Sequence, residues 1–264
     1  MPVVILHKIM EKLTRNETKF IRSLAQKKVR DAENAFLAEG PKAVSELFGK
    51  YPCRLLVGTP AYFERCPQVE ADEYRTASLS DMGRASLLKT PREVLAVFGK
   101  SDGQPPAANL PEKELCLALD AVQDPGNLGT ILRIADWFGI RTALCSPGTA
   151  DVYAPKVVQA TMGAIGRVRV HYLDLGDYIA SLAPSVPVYG TFLDGESLYA
   201  GRLTPNGLVV MGNEGNGISP ELARLVHRRL LIPSYPALSE TSESLNVAVA
   251  TAIVCAEFRR QAVP

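Results

Sequence analysis

The sequence predicts an α/β protein built as two domains. Three observations carry that prediction. The 264 residues exceed one average domain. Short apolar runs alternate with helical segments along the chain, and one stretch rich in Pro, Gly and Asn, residues 101–113, interrupts the alternation. A boundary there divides the chain into residues 1–104 and 105–264.

The first domain opens on residues 8–30, where Leu13, Phe20, Ile21 and Leu24 recur at helical spacing and predict one amphipathic, basic helix. AFLAEGPKAVSELF (35–48) reads as a strand, a turn at Gly40-Pro41 and a helix. RLLVGT (54–59) and EVLAVF (93–98) read as strands. The second domain opens on the strand LCLALDAV (115–122). A turn at Asp124–Asn127 leads into a helix closed by Gly139. Strands TALCSP, VRVHYL, PVYGTFL, GLVVM and RLLIPS follow, with helices at PKVVQATMGAI, ISPELARLV and from Ser244 to Gln261. Such alternation implies a mostly parallel sheet covered on both faces.

Composition excludes several classes. With 47% hydrophobic residues and a net charge of +1, the chain is not disordered as a whole. Its longest nearly apolar stretch, Val247–Ala256, is far short of the ~20 residues a bilayer needs. The opening MPVVILHKIMEKLTRNE has no long apolar core and no small-residue cleavage site, which predicts no secretory leader. Cys53, Cys66, Cys116, Cys145 and Cys255 form no close pair, and His7, His171 and His227 are isolated. Reduced, cytoplasmic thiols and no metal site are expected.

Ligands of α/β sheets bind in loops beyond the carboxyl ends of strands. Three such loops stand out: Asp124–Arg133, Met211–Ser219, and Ile232-Pro233 through to Val247. Each has a purely structural reading when taken alone. DPGN suits a β-turn, GNEGNG suits positive φ or a backbone-amide nest, and Ser244 or Asn246 suits a helix start. Converging, they offer one polar cleft with Asn127, Arg133, Glu214, Ser244 and Asn246.

These residues resemble the motifs of the SpoU (TrmH) family of RNA 2′-O-ribose methyltransferases, in the SPOUT superfamily. Asn127-x-Gly129-x-x-x-Arg133 is similar to the first motif. Gly212-Asn213-Glu214-Gly215-x-Gly217-Ile218 is similar to the second, and Ile232-Pro233 followed by Ser244-Leu245-Asn246-Val247-x-Val249-Ala250 to the third. Asp151-Val152-Tyr153-x-Pro155-Lys156-Val157-Val158 and Met162-Gly163-Ala164 resemble a further family segment. Phe36-Leu37-x-Glu39-Gly40-x-Lys42-x-Val44 resembles, more weakly, the family's substrate-binding domain, a small α/β fold like RNA-binding ribosomal proteins.

The resemblance implies a SPOUT domain tied in a deep trefoil knot, a cytoplasmic homodimer, and S-adenosylmethionine as cofactor. Met211, Gly212, Asn213, Gly215, Ile232, Pro233, Leu245 and Asn246 would hold that cofactor. Val249, Ile253 and Val254 would serve either the dimer interface or the core. The implied reaction methylates a ribose 2′-hydroxyl of RNA, with rRNA favoured over tRNA. Arg133 takes the activating position; a guanidinium keeps its proton, so it would stabilise the developing alkoxide or hold an RNA phosphate. Glu214 would orient Arg133 or nearby backbone, and Asn127, Ser244 and Asn246 would position ribose and loops. Residues 234–243 depart from the family pattern, lacking the usual glycine and carrying an extra proline. The competing classes are an RNA-binding protein that keeps the fold without catalysis, a base methyltransferase, and a nucleotide hydrolase.

Charge separates along the chain. Residues 1–100 hold 17 basic and 12 acidic side chains, and residues 101–264 hold 12 and 16. The excess is steepest at Lys8, Lys12, Arg15, Lys19, Arg22, Lys27, Lys28 and Arg30, set against Glu11 and Glu17. These eight are the predicted RNA-binding residues, with a solvated helix face as the bland alternative.

Overall fold

The computed structural model describes residues 10–67, 69–101, 106–107, 109–236 and 244–262. The chain divides into two compact units, one of Met1–Asp102 with Asp151–Gly166, the other of Gly103–Ala150 with Arg167–Pro264. The first unit therefore includes a segment that follows the linker by some fifty residues, an excursion that no single boundary near residue 104 describes.

In chain order the first unit begins with β1 (Glu11–Lys12), α1 (Arg15–Ser23), α2 (Lys27–Ala32), β2 (Ala35–Glu39), α3 (Pro41–Leu47), β3 (Cys53–Gly58), α4 (Pro60–Arg65), β4 (Glu73–Thr76), α5 (Leu79–Ala85) and β5 (Val94–Gly99). Then come α6 (Leu110–Lys113), β6 (Leu115–Leu119), α7 (Pro125–Trp137) and β7 (Thr142–Cys145) of the second unit. Helix α8 (Pro155–Thr161) returns to the first unit. The second resumes with β8 (Arg169–Tyr172), α9 (Leu175–Ala180), β9 (Val188–Ser197), β10 (Gly207–Met211), α10 (Pro220–Ala223), β11 (Arg228–Leu231) and α11 (Val247–Ala262).

The first unit's sheet has the order β1-β4-β3-β5-β2. Strand β5 pairs antiparallel with β2 and β3, while β4 pairs parallel with β3 and β1. Ile21 and Leu24 join Leu37, Leu55, Val57, Met82, Leu95 and Val97 in one core. Glu39 is buried at the end of β2, accepting from the Ser86 hydroxyl and the Leu87 amide, so it serves the fold; burial pushes its carboxyl up.

The single basic helix expected over residues 8–30 is two. Thr14 and Glu17 close a capping box that starts α1. The ladder then breaks, and the Arg30 guanidinium takes the carbonyls of Leu24 and Ala25, both at 2.8 Å. Arg30 is only 3% exposed and also holds Asp151, at 2.6 Å. That burial removes Arg30 from the predicted RNA-binding set. Lys27 pairs with Asp31, whose carboxyl is pulled down to about 2 by hydrogen bonds from Lys100 and Lys27. Arg22 reaches the carbonyls of Arg84 and Ser86. Lys12, Arg15, Lys19 and Lys28 are exposed, and Lys8 lies outside the described residues.

All neighbours in the second sheet, order β11-β9-β10-β6-β7-β8, are parallel. Strands β6 and β10, buried throughout, sit at its centre. Helices α7 and α11 run parallel, joined at their starts by Asn127 and Asn246 and at their far ends by Arg259 on the Phe138 carbonyl. Cys116, Cys145 and Cys255 pack in this unit as small buried hydrophobes, and burial pushes their thiols up. Among the described residues no helix is long and apolar enough to cross a membrane.

Candidate active site

Strands β6 and β10 are neighbours, yet the chain leaves β6 toward β7 on one side and reaches β11 on the other. That reversal of strand order opens the crevice where α/β sheets hold ligands. Both loops at the crevice are tightly specified. After β6, Asp120 accepts the Ser219 amide at 2.8 Å, and Ala121 adopts a left-handed φ of 52°. Asp124-Pro125-Gly126-Asn127 is a helix start, not the expected β-turn. Asp124 caps α7 by accepting the Asn127 amide at 2.8 Å, with Pro125 in the first turn where no amide is needed.

After β10, Gly212 lies against the returning loop, where a Cβ would stand 2.2 Å from the Gly217 carbonyl carbon. Asn213 and Gly217 exchange backbone hydrogen bonds at 2.9 Å. The Asn213 side chain accepts the amides of Gly215 and Asn216 and donates to the Ala121 carbonyl. Its side chain thus shapes the loop from within. Met211 is likewise buried, its carbonyl taken by the Asp120 amide, which leaves its side chain in the core.

Three predicted residues meet across the loops. Asn246 caps α11, its Oδ1 accepting from Ala248 and Val249, and its Nδ2 donates to Asn127 Oδ1 at 2.9 Å. Asn127 Nδ2 donates to Glu214 Oε1 at 2.6 Å. The helix start orients the Asn246 amide, which orients Asn127, which faces its NH2 to the carboxylate. Each donor meets an acceptor, so the chain of bonds has one consistent sense. Asn127→Asp should reverse this, setting a carboxylate against Glu214; we expect a loss of about 1–3 kcal/mol in denaturant unfolding.

The other predictions fare differently. Ser244 is exposed and does not cap α11; Asn246 does. Glu214 engages Asn127 and is not hydrogen-bonded to Arg133. Arg133 is exposed on α7, six residues and about 9 Å of helix beyond Asn127, without a hydrogen bond or ion pair to a described residue. Gly215, Pro233 and Leu245 are exposed, and Ile232 is half-buried. Residues 237–243 of the divergent loop lie outside the described residues. Sequence reading missed the parts played by Asp120 and Asp124. The available signal was an acidic residue at the strand end and another directly before Pro-Gly.

The profile of the SpoU rRNA Methylase family matches residues 114–256, and that of the MRM3-like substrate binding domain matches residues 15–96. This chain belongs to the SpoU rRNA methylase family. It is 30% identical to the 23S rRNA (guanosine(2553)-2′-O)-methyltransferase RlmP of Bacillus subtilis, covering 96% of this chain and 99% of that one. The fold resembles a TrmH-family protein from Porphyromonas gingivalis, with a TM-score of 0.84 and 46% identity over 94% of this chain and 99% of that one. It also resembles the AdoMet-bound rRNA methyltransferase of Sinorhizobium meliloti, with a TM-score of 0.81 and 29% identity over 97% of this chain and 98% of that one.

The methylase's cofactor is S-adenosylmethionine, and the crevice suits it chemically. Gly215 and Gly217 leave backbone uncovered, a Cβ on Gly217 meeting nothing within 4 Å. Leu245, 47% exposed, offers an apolar surface on the third loop.

Proposed function

We propose that this methylase transfers a methyl group from S-adenosylmethionine to a ribose 2′-hydroxyl of rRNA. The observation that carries the reading is the hydrogen-bonded junction of Glu214, Asn127 and Asn246, which ties the three motif loops together at the sheet crevice. Backbone of Gly212 and Gly215, with Ile232, Pro233 and Leu245, would hold the cofactor, which supplies a sulfonium-bound methyl. The chain's own task is alignment of acceptor oxygen and methyl, an effect of up to roughly 7–11 kcal/mol in well-aligned systems. Arg133, exposed and unpaired among described residues, is free to meet RNA. Its guanidinium stabilises the alkoxide as the hydroxyl proton leaves to a phosphate or solvent. Ser244 stands at the same loop. The sequence of RlmP, named for a guanosine of 23S rRNA, supports rRNA over tRNA. Incubation with methyl-labelled cofactor and either rRNA or tRNA, followed by nucleoside mass spectrometry, tests this. A 2′-O-methyl nucleoside in rRNA is expected; label in a base, in tRNA alone, or in neither overturns the reading.

The RNA grip falls on the first unit, residues 1–104 in the reading from sequence, with 105–264 catalytic. Lys12, Arg15, Lys19 and Lys28 are exposed and have no ion pair among the described residues, whereas Lys27 is paired with Asp31. Replacing the four by alanine should weaken RNA binding and flatten its salt dependence by up to about 0.7–0.9 per lost phosphate contact. Lys27→Ala should change both less, as read from binding isotherms at several salt concentrations. A cytoplasmic homodimer, in the expected knotted fold, is part of the same proposal. Trp137, 84% exposed, and Val249, 49% exposed, lie on the parallel helices α7 and α11 and offer its apolar face. Ile253 is half-buried on that helix, while Val254 is fully buried and belongs to the core.

A further inference from the structure

Residues Asp151–Gly166 leave the catalytic sheet after β7, build part of the other unit, and return to β8. Their side chains are core residues of that unit. Val152, Val157, Val158, Thr161, Ala164 and Ile165 are all 3% exposed or less. Asp151 receives Nε and Nη2 of the buried Arg30, at 3.1 and 2.6 Å, and its other oxygen accepts the Tyr153 amide at 3.0 Å. Tyr153 packs on Phe36 of β2, ring centroids 4.9 Å apart, and its hydroxyl lies 3.2 Å from that of Ser101. At the far end the Tyr51 hydroxyl donates to the Ile165 carbonyl at 3.0 Å. Gly163, at φ +94°, lies so close to Glu46 that a Cβ would stand 2.5 Å from that residue's Cβ.

We propose that this excursion is a positioning element for methyl transfer, with Asp151 and Arg30 as its positioning residues. It rests on the RNA methyltransferase reading above. The chain crosses between the units three times, at 102/103, 150/151 and 166/167. Residues 151–166 therefore follow the catalytic strand β7 in the chain while packing within the first unit. The Arg30–Asp151 pair is the polar clasp of this arrangement. Its two partners are desolvated together, so removing one leaves the other buried without its counter-charge. Arg30 also supports the break between α1 and α2, the elements that carry Arg15, Lys19 and Lys28. The clasp thus links the excursion to the proposed RNA grip through a single side chain.

The test uses the full-length protein with Asp151→Ala, Asp151→Asn and Asp151→Glu. In Asp151→Ala, hydrogen exchange of residues 151–166 and 24–32 should rise about tenfold or more, with strands β6 and β10 unchanged. KM for an rRNA fragment should rise about fivefold or more by the same loosening, while kcat and cofactor affinity stay near the parent values. Asp151→Glu, which keeps the carboxylate, should recover part of both effects. Unchanged exchange and KM in Asp151→Ala overturn the proposal, as does a loss confined to kcat or cofactor affinity. If Asp151→Ala does not fold, Asp151→Asn is scored by the same criteria. The exchange measurement needs no RNA, so a parent protein that methylates no RNA would defeat the functional reading and still leave the clasp separately tested.

Discussion

Arg133→Ala is expected to lower single-turnover methyl transfer about a hundred- to a thousandfold, the usual consequence of removing one group that stabilises developing charge. Cofactor affinity and thermal stability should stay near the parent values. The structure makes the separation sharp, because Arg133 is exposed on α7 and has no ion pair or hydrogen bond among the described residues. Its truncation leaves no buried partner stranded and opens no cavity. Loss of transfer with retained calorimetric cofactor binding supports its role; near-parent turnover would sink it. Arg133→Lys keeps the charge but not the planar fork, so recovery by lysine separates a point-charge role from a bidentate grip on phosphate.

Gly212→Ala should cost about 3 kcal/mol and abolish cofactor binding, because the added methyl has nowhere to go. Its position would be 2.2 Å from one backbone atom and 2.3 Å from another, and the Asn213–Gly217 pair holds that backbone in place. Gly215→Ala is the control. There the nearest atom to a Cβ is Asn213 Oδ1 at 3.5 Å, and the residue is exposed. Melting temperature and cofactor titration should therefore fall for position 212 and move little for position 215. Equal effects at both would show that the loop yields, contrary to the geometry.

The strands were legible because their patterns are local. AFLAE, followed directly by Gly-Pro, and LCLAL, followed by an acidic residue and then the Asp-Pro-Gly break, are short apolar runs, and both are strands in the structure. The break in the basic segment was not legible. Its hydrophobic spacing continues across Leu24, and what ends α1 involves a guanidinium six residues later that is itself held by Asp151, 121 residues away. Asp124-Pro125-Gly126-Asn127 shows an intermediate case. A β-turn and a capped helix start use the same residue types, and only the continuation into thirteen helical residues tells them apart.

The excursion of residues 151–166 has a practical consequence. Removing residues 1–100 would strip Val157, Val158 and Ile165 of the core they occupy. A truncated catalytic domain should therefore be cut with that apolar surface in mind.

The candidate site divides in the same way. Asn127, Arg133, Glu214 and Asn246 were identifiable from residue type, spacing and family resemblance, since loops at strand ends carry their chemistry in a few side chains. Which of them touch was decided by tertiary structure alone. Glu214 takes Asn127 and not Arg133, Asn246 and not Ser244 caps α11, and Asn213 turns inward to hold its own loop. The sequence by itself determined the α/β alternation, the family and the residues on offer at the crevice. Tertiary structure decided their pairings and the destination of residues 151–166. Hydrogen-bond pairing depends on distances of a few tenths of an ångström between segments up to 121 residues apart, and no pattern along the chain encodes those.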